Sequence, residues 1–482
     1  GLAASIRLVA QGYEVHVYEK SDKPGGKLGH FSEAGYQFNT GPSLFTQPHQ
    51  LEALLALVGE KLSDYFTYQK MPVSCHYFYE DGTIVNAFTD TKKFTNELKE
   101  KLQEPEGAVV NYLEQSKNLY TNIGSVFLNF SLHKSKTLLN APILKALKNT
   151  KLKYLFNTMN GLNKKQFKNE KTVQLFNRYA TYNGSNPYQA PGMLTLIPHL
   201  EHNEGVFYPE GGMIRITNAL YQLALKKGVQ FTFNSPVQSI IKDEKKVVGV
   251  LVNNQNEYAN IVVSNMDVYF TYKHLLNQPL IATKILKQER SSSALIFYWG
   301  INKNFTELEL HNIFFTENYK AEFDALFNTK KIYLDPTVYI NITSKCELGK
   351  QAPEGKENWF VMVNAPANVG QDWGKYRAEY RAAIIQKLNK ILKTDVEQFI
   401  EVEEVLDPVS IESKTSSYMG SLYGTSSNSK LAAFFRHPNF SKKLKGLYFV
   451  GGSVHPGGGI PLCMHSAKIM SEIVIDDFKK MK

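Results

Sequence analysis

The chain opens on a helical pattern. Ala3, Ala4, Leu8 and Val9 recur at the spacing that gathers apolar side chains on one helical face, and Gly12 stops the run. Val15 and Val17 then alternate as a short strand ending at Glu19. Helical spacing returns from Ile214 to Lys227, closed by Gly228, and a strand follows from Val229 to Asn234. A hairpin-like pair is predicted around Val247 to Val252, and a further strand from Ile261 to Ser264. Apolar runs at Ala294–Gly300, Ile313–Phe315, Thr337–Ile342 and Trp359–Asn364 have the length of buried strands. A long amphipathic helix is predicted from Tyr376 to Leu392. Near the C-terminus a strand from Gly446 to Val450 runs into a glycine-rich turn, Gly451 to Pro461, and then a helix to about Ile475. No internal repeat or low-complexity segment interrupts this order.

Two of these patterns point to a nucleotide. Gly1 to Glu19 reads as the second half of a dinucleotide-binding βαβ unit. Its glycine packs helix against strand, and its terminal carboxylate accepts hydrogen bonds from ribose hydroxyls. The first strand and first two glycines of such a unit are not in this sequence, so we expect the N-terminus to be truncated. Lys23-Pro24-Gly25-Gly26-Lys27 follows directly. Paired glycines let backbone approach a pyrophosphate or ring closely, and Lys27 offers a charge. An ordinary Pro-Gly turn has the same composition. Phe38-Asn39-Thr40-Gly41-Pro42 is another turn suited to lining a flat ligand. At the other chain end, five glycines lie between Gly451 and Gly459, held between a strand and a helix. That is the geometry in which backbone amides face an anion.

Charge adds a second feature. The formal net charge is +10, from 55 basic and 45 acidic residues. Between Ser116 and Asn169 there is no Asp, Glu or Arg, but there are ten lysines: Lys117, Lys134, Lys136, Lys145, Lys148, Lys151, Lys153, Lys164, Lys165 and Lys168. Without them the basic residues only match the acidic ones. The segment is also rich in bulky apolar residues, among them Phe127, Leu138, Leu139, Ile143, Leu144, Leu147, Leu152 and Phe156, and Pro142 suits the first turn of a helix. A lysine-rich apolar helix without carboxylates suits an anionic bilayer surface. A helical subdomain with a solvated lysine face is the competing reading, and Lys151 does fall on the face of Leu144, Leu147 and Leu155. Nucleic acid is disfavoured, because the segment lacks the Arg that reads bases and forks phosphates. Three scattered cysteines, Cys75, Cys346 and Cys463, do not make a disulfide framework. With no run of about 18 apolar residues and no visible signal peptide, the expectation is a reduced, cytoplasmic protein at the inner face of the cytoplasmic membrane.

Several motifs together carry a family resemblance. Pro24-Gly25-Gly26-Lys27, Phe38 to Pro42, Tyr208-Pro209-Glu210-Gly211-Gly212-Met213, Val262-Val263-Ser264-Asn265-Met266-Asp267 and His455-Pro456-Gly457-Gly458-Gly459-Ile460-Pro461 occur in this order. The chain resembles the bacterial carotenoid desaturases of the phytoene desaturase type over nearly its whole length. Arg178 to Tyr188 looks most like the 1-hydroxycarotenoid 3,4-desaturase branch, which includes enzymes acting on γ-carotene derivatives. The resemblance implies an α/β fold with an FAD-binding, Rossmann-like domain of the amine-oxidase type built from discontinuous segments. It also implies a mixed-sheet substrate domain and a helical membrane-facing subdomain. The flavin domain is expected at about 1–70, 205–268 and 430–482, the substrate domain at 71–115, 170–204 and 269–429, and the membrane-docking segment at 116–169. Carried over, Gly1 and Glu19 belong to the dinucleotide unit, and Gly25, Gly26 and Lys27 to the glycine motif near the flavin. Gly41 and Pro42 line it. Val237 meets the adenine, Gly451 and Gly452 the pyrophosphate and ribityl chain, and Gly458, Gly459 and Ile460 the flavin ring. Gly452-Ser453 stands where many flavoproteins carry an acidic residue.

The residues alone point to a flavin-dependent oxidoreductase with a bulky apolar substrate, since aromatic richness suits a polyene tunnel. Removing two hydrogens leaves allylic cation character, which needs a negative or π-rich environment more than a strong base. Glu201, in His199-Leu200-Glu201-His202-Asn203-Glu204, is the candidate for that charge; the other reading is a surface salt bridge. Asp267 reads equally as a helix N-cap. His455 either contacts the flavin or braces its loop, and Tyr182 and Asn183 are candidates for binding a hydroxylated substrate end. Phytoene desaturation, flavin-dependent carotenoid isomerisation and non-redox lipid binding on the same fold remain open alternatives. So does the electron acceptor, oxygen or a quinone.

Overall fold

The computed structural model describes residues 1–134, 137, 145, 151–285, 287–429 and 436–479. The opening helix, Leu2–Val9, buries Ala3, Ala4, Ile6 and Leu8. These pack against the C-terminal helix, Ile460–Lys479, and the helix Ile214–Lys226. Two parallel strand pairs tie distant parts of the chain together: His16–Tyr18 with Gln230–Thr232, and Val262–Ser264 with Leu447–Phe449. These pairings bring segments near residues 17, 231, 263 and 448 into one half of the molecule. The expected hairpin is a three-stranded antiparallel meander, Val237–Asp243, Lys246–Val252 and Gln255–Tyr258. Its last strand is polar and mostly exposed, so it gives no apolar alternation to read.

The other half is built on a seven-stranded sheet. Its order is Ile400–Leu406, Ser293–Ile301, Glu357–Ala365, Val338–Ile342, His311–Phe314, Val73–Phe78, Ile84–Phe88. All neighbours are antiparallel except His311–Phe314 with Val73–Phe78. Four of these strands match the apolar runs in the sequence, and the two at 73–88 and the one at 400–406 do not. Side chains alternate across a strand. Phe297, Trp299, Val361, Val363, Ile340 and Ile342 therefore point to one face, where the helix Trp373–Leu392 covers them. That helix starts three residues earlier than its pattern suggests, because the Asp372 side chain accepts from the Lys375 backbone N–H at 3.0 Å and caps it. Ile296, Tyr298, Phe360, Met362, Tyr339 and Ile313 point to the opposite face, toward the cavity described below.

Between 116 and 169 the described elements are short: Tyr120–Gly124, Ser125–Asn129, Lys153–Phe156 and Met159–Gln166. The helix expected to open at Pro142 lies outside the described residues, with Lys136, Leu138, Leu139, Ile143, Leu144, Leu147 and Lys148. Not every lysine here is uncompensated. Lys134 pairs with Asp477 at 3.1 Å and Lys164 with Glu170 at 3.1 Å. Leu152 and Phe156 are 67% and 64% exposed beside Lys151 and Lys153. Among the described residues, no helix is long and apolar enough to cross a membrane. The three cysteines are free.

Candidate active site

A continuous cavity of about 2380 Å³ separates the two halves. Gly1, Glu19, Gly25, Gly26, Lys27, Gly41, Pro42, Val237, Gly451, Gly452, Gly458, Gly459 and Ile460 all line it. Helix ends and loops from three regions of the chain thus converge on one wall. The glycines there allow close packing at one position and leave bare backbone at others. At Gly41 a Cβ would stand 1.8 Å from the Lys27 carbonyl oxygen, so the turn Phe38 to Pro42 can lie on the Lys27 backbone only without a side chain. Gly26 and Gly459 have φ of +56° and +114°, and none of the described atoms lies within 4 Å of where their Cβ would be. Side chains at these two places would project into open space, so this wall is a cradle of bare backbone. The Lys27 ammonium donates to the Leu422 carbonyl at 2.9 Å, and burial pulls its pKa below the usual lysine value. Glu19 accepts from the Ser21 backbone N–H at 2.9 Å. Ser453, where an acidic side chain is common, accepts from the Val268 N–H at 3.1 Å. Asp267 caps the turn Val268–Phe270, accepting from the Tyr269 N–H at 2.9 Å, and pairs with buried Arg290 at 3.1 Å. A cradle with close-approaching backbone, a cation and a strand-end carboxylate fits a flavin dinucleotide.

The opposite wall is the cavity face of the seven-stranded sheet. The chain from Thr40 to Ser43 lies against it: the Tyr298 hydroxyl donates to the Thr40 carbonyl at 3.2 Å, and the Ser43 and Tyr339 hydroxyls are 2.8 Å apart. Beyond this point the lining turns polar, with Arg178, Thr181, Tyr182 and Glu201. Arg178 and Glu201 are 7% and 1% exposed. The Arg178 Nη2 donates to both Glu201 oxygens, at 2.9 and 2.7 Å, and its Nε donates to the Tyr77 hydroxyl at 2.6 Å. The hydroxyls of Tyr179 and Tyr182 also donate to Glu201. Rings of Tyr77, Tyr179 and Tyr182 surround the guanidinium. Burial works to lower the Arg178 pKa, but Glu201 and the tyrosines more than reverse it and hold the cation well above its usual value. The surface salt-bridge reading of Glu201 is therefore corrected: the ion pair exists, but it is buried in the cavity wall.

The expectation for Asn183 is corrected, and that for His455 is decided between its two readings. Asn183 is not among the lining residues; its amide donates to Ser427 at 3.1 Å and its carbonyl accepts from Ser185 at 2.6 Å. His455 does not line the cavity either. It is fully buried, its Nε2 is 3.0 Å from the Phe130 carbonyl, and its ring meets Phe127 and His133 edge-on, so it braces the glycine-rich loop. Tyr182 does line the cavity, with its hydroxyl committed to Glu201. His311, Tyr339 and Ser43 were not legible as site residues. Their contacts join positions 28 to 296 residues apart, and no local pattern marks them.

The family model for flavin containing amine oxidoreductases matches residues 1–475. A 1-hydroxycarotenoid 3,4-desaturase from Flavobacterium sp. strain P99-3 is 51% identical over 474 residues, covering 98% of this chain and 96% of the relative. A 4,4'-diapolycopene oxygenase from Methylomonas sp. is 32% identical, covering 99% and 97%. Among solved structures, an oxidoreductase from Methanosarcina mazei superposes with a TM-score of 0.62 at 14% identity, covering 98% of this chain and 97% of that one. With the backbone cradle in place at both chain ends and the family pattern matched across almost every residue, this chain belongs to the flavin containing amine oxidoreductases.

Proposed function

We propose that the protein is an FAD-dependent carotenoid desaturase, introducing a C=C bond at the 3,4-position of a 1-hydroxycarotenoid or γ-carotene derivative. The observation that carries this is the single cavity joining a backbone cradle to an apolar, aromatic sheet face. Ordinary small-molecule sites hold roughly 300–1,000 Å³. A void of about 2380 Å³ has room for a dinucleotide and a long polyene together. The 51% identical relative bears the matching name.

Gly1, Glu19, Gly25, Gly26, Lys27, Gly41, Pro42, Val237, Gly451, Gly452, Gly458, Gly459 and Ile460 would hold FAD. When bound, FAD supplies the acceptor for a hydride taken from the substrate. The rest is the chain's own contribution. Ile296, Tyr298, Phe360 and Met362 offer a flat, water-excluding surface that lays the polyene along the sheet. Both Glu201 oxygens are occupied by donors, so we assign it a positioning role: it fixes Arg178 and Tyr182 in the wall and neutralises the cation. The proton lost with the hydride would be taken up by a base or by water. Oxygen or a quinone would then serve as the final electron acceptor.

We also propose that the stretch 116–169 docks the protein on an anionic membrane from which the water-insoluble substrate is drawn. Exposed Leu152 and Phe156 among lysines support this, since an apolar pair rimmed by cations suits a lipid headgroup boundary. In this reading the division into flavin, substrate and membrane-facing parts follows the boundaries given above, and the protein works at the inner face of the cytoplasmic membrane.

The test is a single turnover of the FAD-loaded protein with a 1-hydroxycarotenoid, with and without anionic liposomes. Bleaching of the flavin band with a red-shifted product that has lost two hydrogens is expected, faster with liposomes. A product of unchanged mass means isomerisation instead, and an unchanged polyene in a flavin-loaded protein means binding only.

A further inference from the structure

Two cations meet where the walls of the cavity join. The stretch Leu422 to Gly424 lines the cavity and is held there on three sides. The Leu422 backbone N–H donates to the Ser292 carbonyl at 3.2 Å, and the Tyr423 N–H to the Ser291 hydroxyl at 3.1 Å, just before the sheet strand Ser293–Ile301 begins. On the cradle side, a Cβ at Gly458 would stand 2.9 Å from the Tyr423 Cα, and one at Gly424 would stand 2.8 Å from the Ser453 Cα, so the glycine-rich turn lies directly on this stretch. The third contact is the Lys27 ammonium on the Leu422 carbonyl, at 2.9 Å. The next carbonyl along, that of Tyr423, accepts from the Arg436 Nη1 at 2.8 Å. The same nitrogen is 3.5 Å from the carbonyl oxygen of Gly452, a residue of the cradle. Consecutive peptide groups thus carry one cation each.

Among the described residues, the side chains of Lys27 and Arg436 bond to carbonyls and form no ion pair. Arg436 is 2% exposed, and the sequence has no Asp or Glu between Glu412 and Glu472. Asp267, whose charge reaches Lys27, is already paired with Arg290 at 3.1 Å. Burial, and then Arg290, lower the Arg436 pKa to about 10, which leaves it charged at neutral pH. A fully buried arginine is almost always paired, because an unbalanced buried charge is costly. The balancing charge therefore comes from what fills the cavity. The reducible end of a cofactor in the cradle must also touch the polyene face, since a hydride crosses only between groups in contact. Leu422 to Gly424 lies at such a junction.

We propose that Arg436 and Lys27 stabilise the negative charge that the hydride brings to the flavin, and so set how readily the cofactor is reduced. The proposal rests on the flavin reading of the cradle and goes beyond it. The hydride carries two electrons. The polyene is left as a cation that then loses a proton, and the cofactor keeps one negative charge. Fixed positive charge in a water-poor wall acts most strongly on charge that appears only during the reaction.

The experiment needs no carotenoid. FAD-loaded native protein and variants are brought to anaerobic equilibrium with a redox dye of known potential. The ratio of reduced to oxidised flavin is then read by absorbance at a fixed dye ratio. In Arg436→Gln that ratio is expected to fall at least tenfold, about 30 mV for a two-electron couple. Lys27→Gln shifts it the same way, and Arg436→Lys, which restores a charge without the fork, recovers part of the change. FAD content and melting temperature are recorded for each variant. Should Arg436→Gln not retain FAD, the same measurement on Lys27→Gln decides. Variants whose bound flavin partitions as in the native protein, even if they lose FAD or melt earlier, show that these side chains only tie the turns together, and overturn the proposal. Because no substrate is present, a protein whose flavin responds as expected but which oxidises no polyene refutes the desaturase reading alone.

Discussion

The guanidinium of Arg178 finds its carboxylate partner in Glu201, and both are out of water. Removing one partner of such a pair leaves an uncompensated buried charge and costs about 3–5 kcal/mol, whereas replacing both by apolar groups of similar size is often neutral. Glu201→Gln is therefore expected to lower unfolding stability by about 3 kcal/mol in urea melts. Arg178→Met/Glu201→Leu should recover most of that. If Glu201→Gln and the double variant both lie within about 0.5 kcal/mol of the native protein, the pair is not holding the wall. Glu201 itself was legible from its place in a carboxylate- and histidine-rich run. Its setting was not, because Arg178, Tyr179 and Tyr182 lie about twenty residues away, on the short helical segment Arg178–Asn183. Sequence spacing says nothing of how that segment folds back.

Among the elements, the turn Thr40 to Pro42, which leaves the strand Tyr36–Asn39, packs a glycine directly on the Lys27 backbone. Gly41→Ala would drive a methyl group into the Lys27 carbonyl. The turn must lift, and the cradle opens. FAD retained after gel filtration should fall at least tenfold while the seven-stranded sheet, held by its own backbone ladders, keeps its far-ultraviolet signal; full retention of FAD would refute the packing argument. The glycine-rich turns at 25–27, 41–42 and 451–460 were all readable from their clustered glycines, and the last of them does lie between a strand and a helix. The long apolar strands were readable for the same kind of reason: both faces are buried, so their runs are continuous. Strand Ile400–Leu406 escaped because its glutamates occupy a half-exposed sheet edge, where Glu403 pairs with Arg381 at 2.9 Å. Strand Val73–Phe78 escaped because Ser74 and His76 break its apolar run, although Ser74 is buried through its bond to the Ala87 carbonyl.

At the scale of the whole molecule, buried histidines set the response to acid. Burial lowers His202, His311 and His455 to about 3, and His437 and His465 to about 4, from an ordinary 6.5. Between those values the unfolded chain binds protons that the folded chain refuses. Stability is thus fully present above 6.5 and is lost as pH falls toward 4. Glu322 works the other way: burial raises it to about 7, so the folded state takes up a proton there first and offsets part of the loss. Unfolding stability should drop by at least about 2 kcal/mol between about pH 7.5 and 5.5, read from urea midpoints. A flat profile would mean the histidines titrate freely. The same global view gives the chain-end packing a meaning for biosynthesis. The first helix, Leu2–Val9, has its partner in Ile460–Lys479, at the far end of the chain. At about 5–20 residues per second the ribosome needs on the order of a minute to deliver that partner. The sheet half, complete once Leu406 has emerged, can fold first, while the first helix of the nucleotide half waits only partly covered, by Ile214–Lys226. The two halves are therefore completed in a fixed order, the sheet first, and the cofactor wall is not whole until the glycine-rich turn at 451–460 has been made.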